Sequence, residues 1–230
     1  MNTKENNIFW IRVGDKKKPA TINLYNENKI YNEKLVKKNS IEYKIWEPYR
    51  SKLAAAIMNG LEILPITRKS KVLCLGSFTG TTTNHISDIV GTDGLVFCVA
   101  HSNKGTQNIV YEVKNRSNTN LIIHDLRNPS KYPAISEKVN VVYVDIEQPD
   151  QTEIAILNCK THLKTGGYLI LIIKTKNKDD TKQSNEIIKG KVKKLSVFFD
   201  ILQEVNLENY DREHSIVIAK FLEKDNVVDL

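Results

Sequence analysis

Val72-Leu-Cys-Leu-Gly-Ser-Phe-Thr-Gly80-Thr-Thr-Thr-Asn-His-Ile-Ser-Asp88 runs an apolar strand into a turn with two glycines, Gly76 and Gly80, and then into a hydroxyl-rich helix start. Glycine lets a ligand press against the backbone of such a turn. The first N–H groups of the helix have no partner inside it, so they face the polar atoms of that ligand. In an open α/β sheet, the carboxyl edge of this first strand is where a nucleotide-like cofactor docks. The same residues also read as a plain βα turn that binds nothing.

Outward from that turn, strands and helices alternate. Strand candidates are Val72–Leu75, Leu95–Val99, Asn120–Ile123, Val141–Val144 and Tyr168–Ile173; helix candidates are Thr82–Val90, Thr106–Asn115 and Gln151–Leu163. This alternation predicts a parallel sheet with helices on both faces. A helix from Ser184 to about Phe198 follows, and then two apolar runs, Phe199–Val205 and His214–Leu222. The last two lie too close for a helical crossover, so they pair antiparallel. The fold class is α/β: a mostly parallel sheet with an antiparallel last strand, the habit of class I methyltransferases.

Before the turn the chain changes character. Up to about residue 47 it is rich in Asn, Lys and Tyr, with short β-type runs at Ile8–Val13, Ala20–Leu24, Lys29–Tyr31 and Ile41–Trp46. Turn residues such as Gly14-Asp15 separate them. A small antiparallel β domain over residues 1–47 is expected, ahead of an α/β domain over 48–230. Pro48 then opens a helix over Tyr49–Leu61 with Leu53, Ala54, Ile57, Met58 and Leu61 on one face.

The 230 residues suffice for one full α/β domain with a small appendage. The 34 Lys+Arg exceed the 27 Asp+Glu, giving a net charge of +7, which suits a polyanionic partner such as RNA. Cys74, Cys98 and Cys159 form no C-x-x-C pair, and they read as reduced, structural cysteines of an intracellular protein. The N-terminal Met-Asn-Thr-Lys-Glu-Asn-Asn has no signal-peptide core. The longest apolar run, Tyr168–Ile173, is too short to span a bilayer, so no membrane partner is expected.

Three further blocks sharpen this reading. They are Glu42-Tyr-Lys-Ile-Trp-Glu-Pro-Tyr-Arg-Ser-Lys-Leu-Ala-Ala-Ala-Ile57, Val141-Val-Tyr-Val-Asp-Ile-Glu-Gln-Pro-Asp-Gln151 and Asp211-Arg-Glu-His-Ser-Ile-Val217. With the glycine turn, they resemble the fibrillarins, RNA ribose 2′-O-methyltransferases of box C/D guide ribonucleoproteins. The likeness runs from about residue 20 to residue 222 and matches the form without a Gly/Arg-rich N-terminal extension. It implies S-adenosylmethionine as methyl donor and a catalytic set at Lys52, Asp145, Lys174 and His214. It also implies cofactor contacts at Gly76, Gly80, Thr81 and Thr82, at Asp125 for the adenine, and at Asp145, Ile146 and Gln148 near the methionine end. The implied substrate is pre-rRNA, with tRNA a further target. The implied partners are the guide RNA, a scaffold protein and a small RNA-kink-binding protein.

The chemistry accounts for such groups. A ribose hydroxyl is a poor nucleophile. A lysine beside another lysine and a sulfonium cation has a lowered pKa and serves as general base. The expected base is Lys174, tuned by Lys52 and oriented by Asp145, while His214 positions ribose or phosphate. Holding the hydroxyl in line with the methyl carbon supplies much of the rate. The sulfonium is the electrophile, so no metal is called for. Each of the four also has an ordinary reading: Lys52 as a solvated helix lysine, Asp145 as a strand-end cap, Lys174 as an edge lysine and His214 as a loop histidine.

The chain departs from the family pattern in three places. Ala100 stands where an acid accepts both ribose hydroxyls of the cofactor. Losing a hydrogen bond to a charged group costs about 1.5–3 kcal/mol, a factor of about 10 to 150 in affinity. His101 is the residue placed to take over one hydroxyl. Phe78 is bulky between the two glycines, and Glu147 replaces the usual alanine before Gln148-Pro149. These departures raise the alternative of a catalytically weakened structural subunit of the same particle. A third reading is a guide-independent methyltransferase of the heat-shock type, which usually carries Glu where His214 stands. The lysine-rich stretch from Lys174 to Lys194 reads as a phosphate contact or as a solvated face. A nucleolar location is expected for a eukaryotic or nucleomorph protein and a cytoplasmic one for an archaeal protein.

Overall fold

The computed structural model describes residues 6–25, 32–76, 80–100, 116–132, 134–175 and 181–222. Two sheets make up the frame. The first has four antiparallel strands, β1 (Phe9–Val13), β2 (Lys16–Ile22), β3 (Leu35–Lys38) and β4 (Ile41–Ile45), in the order β1-β2-β4-β3. The second has seven: β5 (Lys71–Leu75), β6 (Leu95–Ala100), β7 (Thr119–Ile123), β8 (Val139–Val144), β9 (Leu163–Lys174), β10 (Phe199–Asn206) and β11 (His214–Phe221). Their order is β10-β11-β9-β8-β5-β6-β7.

β5 through β9 are mutually parallel, and β11 runs antiparallel to both of its neighbours, β9 and β10. The expected α/β architecture is therefore the observed one. From β5 the chain winds first through β6 and β7 on one side and then through β8 and β9 on the other. The order reverses beside β5, and that reversal opens a crevice at the carboxyl ends of β5 and β8.

Helices cover both faces. α1 (Lys52–Met58) and α2 (Thr81–Val90) lie on one face, while α3 (Gln151–His162) and α4 (Thr181–Leu195) lie on the other. Period-two alternation sorts the side chains of β5: Val72 and Cys74 join the first core, and Leu73 and Leu75 join the second. Both faces are thus buried, and the central strands read as continuous apolar runs. Among the described residues no helix is long and apolar enough to cross a membrane.

Several boundaries differ from the expectation. The helix placed at Tyr49–Leu61 is only Lys52–Met58, because Ser51 caps it by accepting the Ala54 N–H, and Gly60 ends it at φ +93°. Pro48 lies upstream in a turn closed by the Arg50 N–H on the Glu47 carbonyl. β2 spans Lys16–Ile22 rather than Ala20–Leu24: its lysines pair across a hairpin with β1, Arg12 opposite Lys17. β3 was not anticipated in its lysine-containing stretch. The last helix spans Thr181–Leu195 instead of Ser184–Phe198. The expected strand at Lys29–Tyr31 and helix at Thr106–Asn115 lie outside the described residues.

The four-stranded sheet is fastened to α2 by a buried polar cluster. Lys44 Nζ lies 2.6 Å from Asp88 Oδ2, and Arg116 Nη1 lies 2.9 Å from Asp88 Oδ1. Thr21 Oγ1 donates to the same carboxylate at 3.0 Å and lies 2.8 Å from His85 Nδ1. The Trp46 ring stacks on His85 at 4.7 Å. Burial and the charges of Lys44 and Arg116 hold the His85 pKa well below the usual histidine value, so its ring is neutral.

Candidate active site

The crevice is a cleft of about 620 Å³. Its floor is the turn after β5. Gly76 has φ +84°, and a Cβ there would meet Ile146 Cγ2 at 2.2 Å and the Asp145 carbonyl oxygen at 2.5 Å. Only glycine lets the two strand ends close on each other, as the Gly76 N–H reaches the Val99 carbonyl and the Asp145 N–H the Leu75 carbonyl. Gly80, at φ +66°, is the N-cap of α2 and makes no side-chain cap. Thr81 and Thr82 follow at the helix start, both buried. Thr82 Oγ1 shares a hydrogen bond of 2.9 Å with Ser51 Oγ, which ties α1 to α2 at the cleft wall.

Three side-chain pairs stand at the cleft, which Lys52, Asp145, Glu147 and Asp211 line and which Lys174 and His214 flank. Lys52, the first residue of α1, places Nζ 2.8 Å from Asp145 Oδ1 at the end of β8. Both side chains are about four-fifths buried, with exposures of 23% and 20%. The Tyr143 hydroxyl reaches the other oxygen, Asp145 Oδ2, at 3.4 Å. Lys174, at the end of β9, places Nζ 3.0 Å from Glu147 Oε2. His214 opens β11 directly opposite Lys174, with Nδ1 2.8 Å from Asp211 Oδ1. Its Nε2 is buried and has no partner among the described residues. Burial pushes the Asp211 carboxyl up, but the hydrogen bond with His214 and the nearby charges more than offset this, so it lies below the usual carboxylate value.

The structure therefore brings Lys52, Asp145, Lys174 and His214 to one sheet edge. Two expectations about them need correcting. Asp145 bonds Lys52 rather than Lys174. The pKa of Lys174 is raised, not lowered, because the Glu147 carboxylate bonds it. Asp211 and Glu147, which line the cleft, carried no assigned role in the sequence reading. The spacing Asp211-x-x-His214 was the available signal for the first. No local signal marks the second, since its partner lies on another strand.

Of the residues assigned to the cofactor, Gly76, Thr82, Asp145, Ile146 and Gln148 line the cleft. Asp125 follows β7, outside the cleft lining, and its carboxylate accepts from the Arg127 N–H at 3.0 Å and from Asn128 Nδ2 at 3.3 Å. Ala100 ends β6, buried. His101 and Phe78 lie outside the described residues. The residues present fit a nucleoside-bearing sulfonium ligand: the glycine floor, the helix start at Thr81 and the buried, unpartnered Gln148 Oε1 offer backbone and polar contacts along one wall.

Comparison with known proteins gives a consistent result. The fibrillarin family model matches residues 1–223. A fibrillarin-like rRNA/tRNA 2′-O-methyltransferase of Methanopyrus kandleri is 39% identical over 216 residues, 93% of each chain. The Aeropyrum pernix fibrillarin, solved with natively bound S-adenosyl-L-methionine, superposes with a TM-score of 0.86 at 34% identity, over 93% of this chain and 94% of that one. A fibrillarin solved in complex with Nop5p superposes with a TM-score of 0.82 at 32% identity, over 94% and 98%.

Proposed function

The chain belongs to the fibrillarin family, and from that membership we infer that it is an S-adenosylmethionine-dependent rRNA/tRNA 2′-O-methyltransferase. The observation that carries this reading is the Lys52–Asp145 pair, 2.8 Å apart over the Gly76 turn, with Lys174 and His214 on the same edge. S-adenosylmethionine, when bound, supplies a methyl group made electrophilic by its sulfonium. The chain's own residues do the rest. Gly76, Gly80 and the start of α2 seat the cofactor, and Gln148 and Ile146 flank its methionine end. Asp145 fixes Lys52 at the cleft wall. Lys174 takes the proton of the ribose 2′-hydroxyl, and the buried Nε2 of His214 holds the ribose or its phosphate.

The substrate is RNA selected by a box C/D guide, a reading that the family membership and the Nop5p complex of a relative support. The Nop5p complex of a relative supports a scaffold partner of that kind. A small protein that binds the kinked guide RNA completes the particle, and the charge of +7 suits such a setting. The small sheet before residue 48 forms a β-rich unit that backs α2 and shares its apolar core with the methyltransferase domain beyond it.

Titration calorimetry of the purified chain with S-adenosylmethionine tests this reading. Micromolar affinity is expected, with Ala100 accounting for weaker binding than an acid there would give. No binding, alone and with the scaffold protein present, would leave a structural subunit instead.

A further inference from the structure

Two carboxylates two residues apart, Asp145 and Glu147, each hold a lysine of the catalytic set. They are not equivalent. The Lys52–Asp145 pair is largely shielded, whereas the Lys174 and Glu147 side chains are 38% and 64% exposed. Glu147 sits on the loop after β8 and lines the cleft. In this arrangement Lys174 is held as an ammonium, and an ammonium has no lone pair with which to accept a proton.

We propose that Glu147 is a positioning residue for methyl transfer, a releasable latch that keeps Lys174 out of action until RNA enters the cleft. The inference rests on the methyltransferase reading above. RNA phosphates repel the Glu147 carboxylate, which among the described residues is bonded by its exposed partner Lys174, and such pairs are weak enough to open. Once Glu147 swings aside, Lys174 loses the carboxylate bonded to it. It then gives its ammonium proton to solvent more readily, and the neutral Nζ accepts the proton leaving the 2′-oxygen. The other charged or titratable groups facing this pair, among the described residues, are Glu213, Asp211, Lys52 and His214. Glu213 and Asp211 act on Lys174 in the same direction as Glu147, but less strongly.

The test is the pH profile of single-turnover methyl transfer in a particle assembled with guide RNA and scaffold protein. Glu147→Gln keeps the side-chain size and removes the charge, and Glu147→Asp keeps the charge. The limb on which transfer rises with pH should move to lower pH in Glu147→Gln, giving several-fold more transfer near neutrality. Glu147→Asp should stay close to the parent profile. Transfer with the same profile in parent and Glu147→Gln overturns the latch while leaving the methyltransferase reading intact. No transfer by any of the three, in particles that assemble and bind S-adenosylmethionine, overturns both.

Discussion

Lys52 shows how much one side chain owes to its place. It begins a short helix whose cap, Ser51, also bonds Thr82 at the start of α2, so its backbone is anchored to the wall of the cleft. Its ammonium then finds Asp145 at 2.8 Å, and Tyr143 reaches the same carboxylate from beneath. Burial and the neighbouring Asp145 push the Tyr143 hydroxyl's pKa well up, so it remains protonated and able to donate. Replacing Lys52 by Met keeps the apolar stem and removes the charge. Single-turnover methyl transfer should then fall by about 100-fold, the scale of a misplaced reacting group, while S-adenosylmethionine affinity changes little. A rate equal to that of the parent protein would remove Lys52 from the site.

At the scale of the element, α2 has two ends with different work. Its N-terminus, behind Gly80, faces the cleft, and its C-terminal half carries Asp88 into the cluster with Lys44 and Arg116. Deleting the carboxylate that both cations share, by Asp88→Ala, should destabilise the protein by about 3–5 kcal/mol, read as a lowered denaturation midpoint in urea. A midpoint within error of the parent would show that the cluster contributes no stability. This cluster also marks where sequence reading stops. Asp88 closes the quoted turn-and-helix stretch, yet its role depends on Lys44 and Arg116 approaching from other elements. The strand ends were a different matter. Asp145 and Lys174 each follow an apolar run, so their arrival at the carboxyl edge was legible from those runs, whereas their roles came from the family resemblance. The pairing of Glu147 with Lys174 was not, because a loop residue's partner is set by three-dimensional approach. Nor was β3 legible, since Val36-Lys37-Lys38 carries its apolar face on too few residues.

At the scale of the whole molecule, the small sheet and the large one share buried contacts through Thr21, Lys44 and Trp46 on one side and His85 and Asp88 on the other. Ile8 and Trp46 belong to the same apolar cluster as Val72 and Ile172. Neither sheet can separate without uncovering charge. Scanning calorimetry should therefore show one cooperative transition for the two sheets. Two resolved peaks would mean that the small sheet melts on its own.

The place of β11 has a consequence for synthesis. It lies between β9 and β10 although it follows both in the chain. On the ribosome, β9 emerges with one edge bare and β10 with no neighbour to rest against. Both wait until residue 221 has cleared the exit tunnel, and a bare strand edge is a hazard for that interval. The same late strand delivers His214 to its position opposite Lys174. A nascent polypeptide thus lacks the full set of proposed site residues at that edge until its sheet is closed.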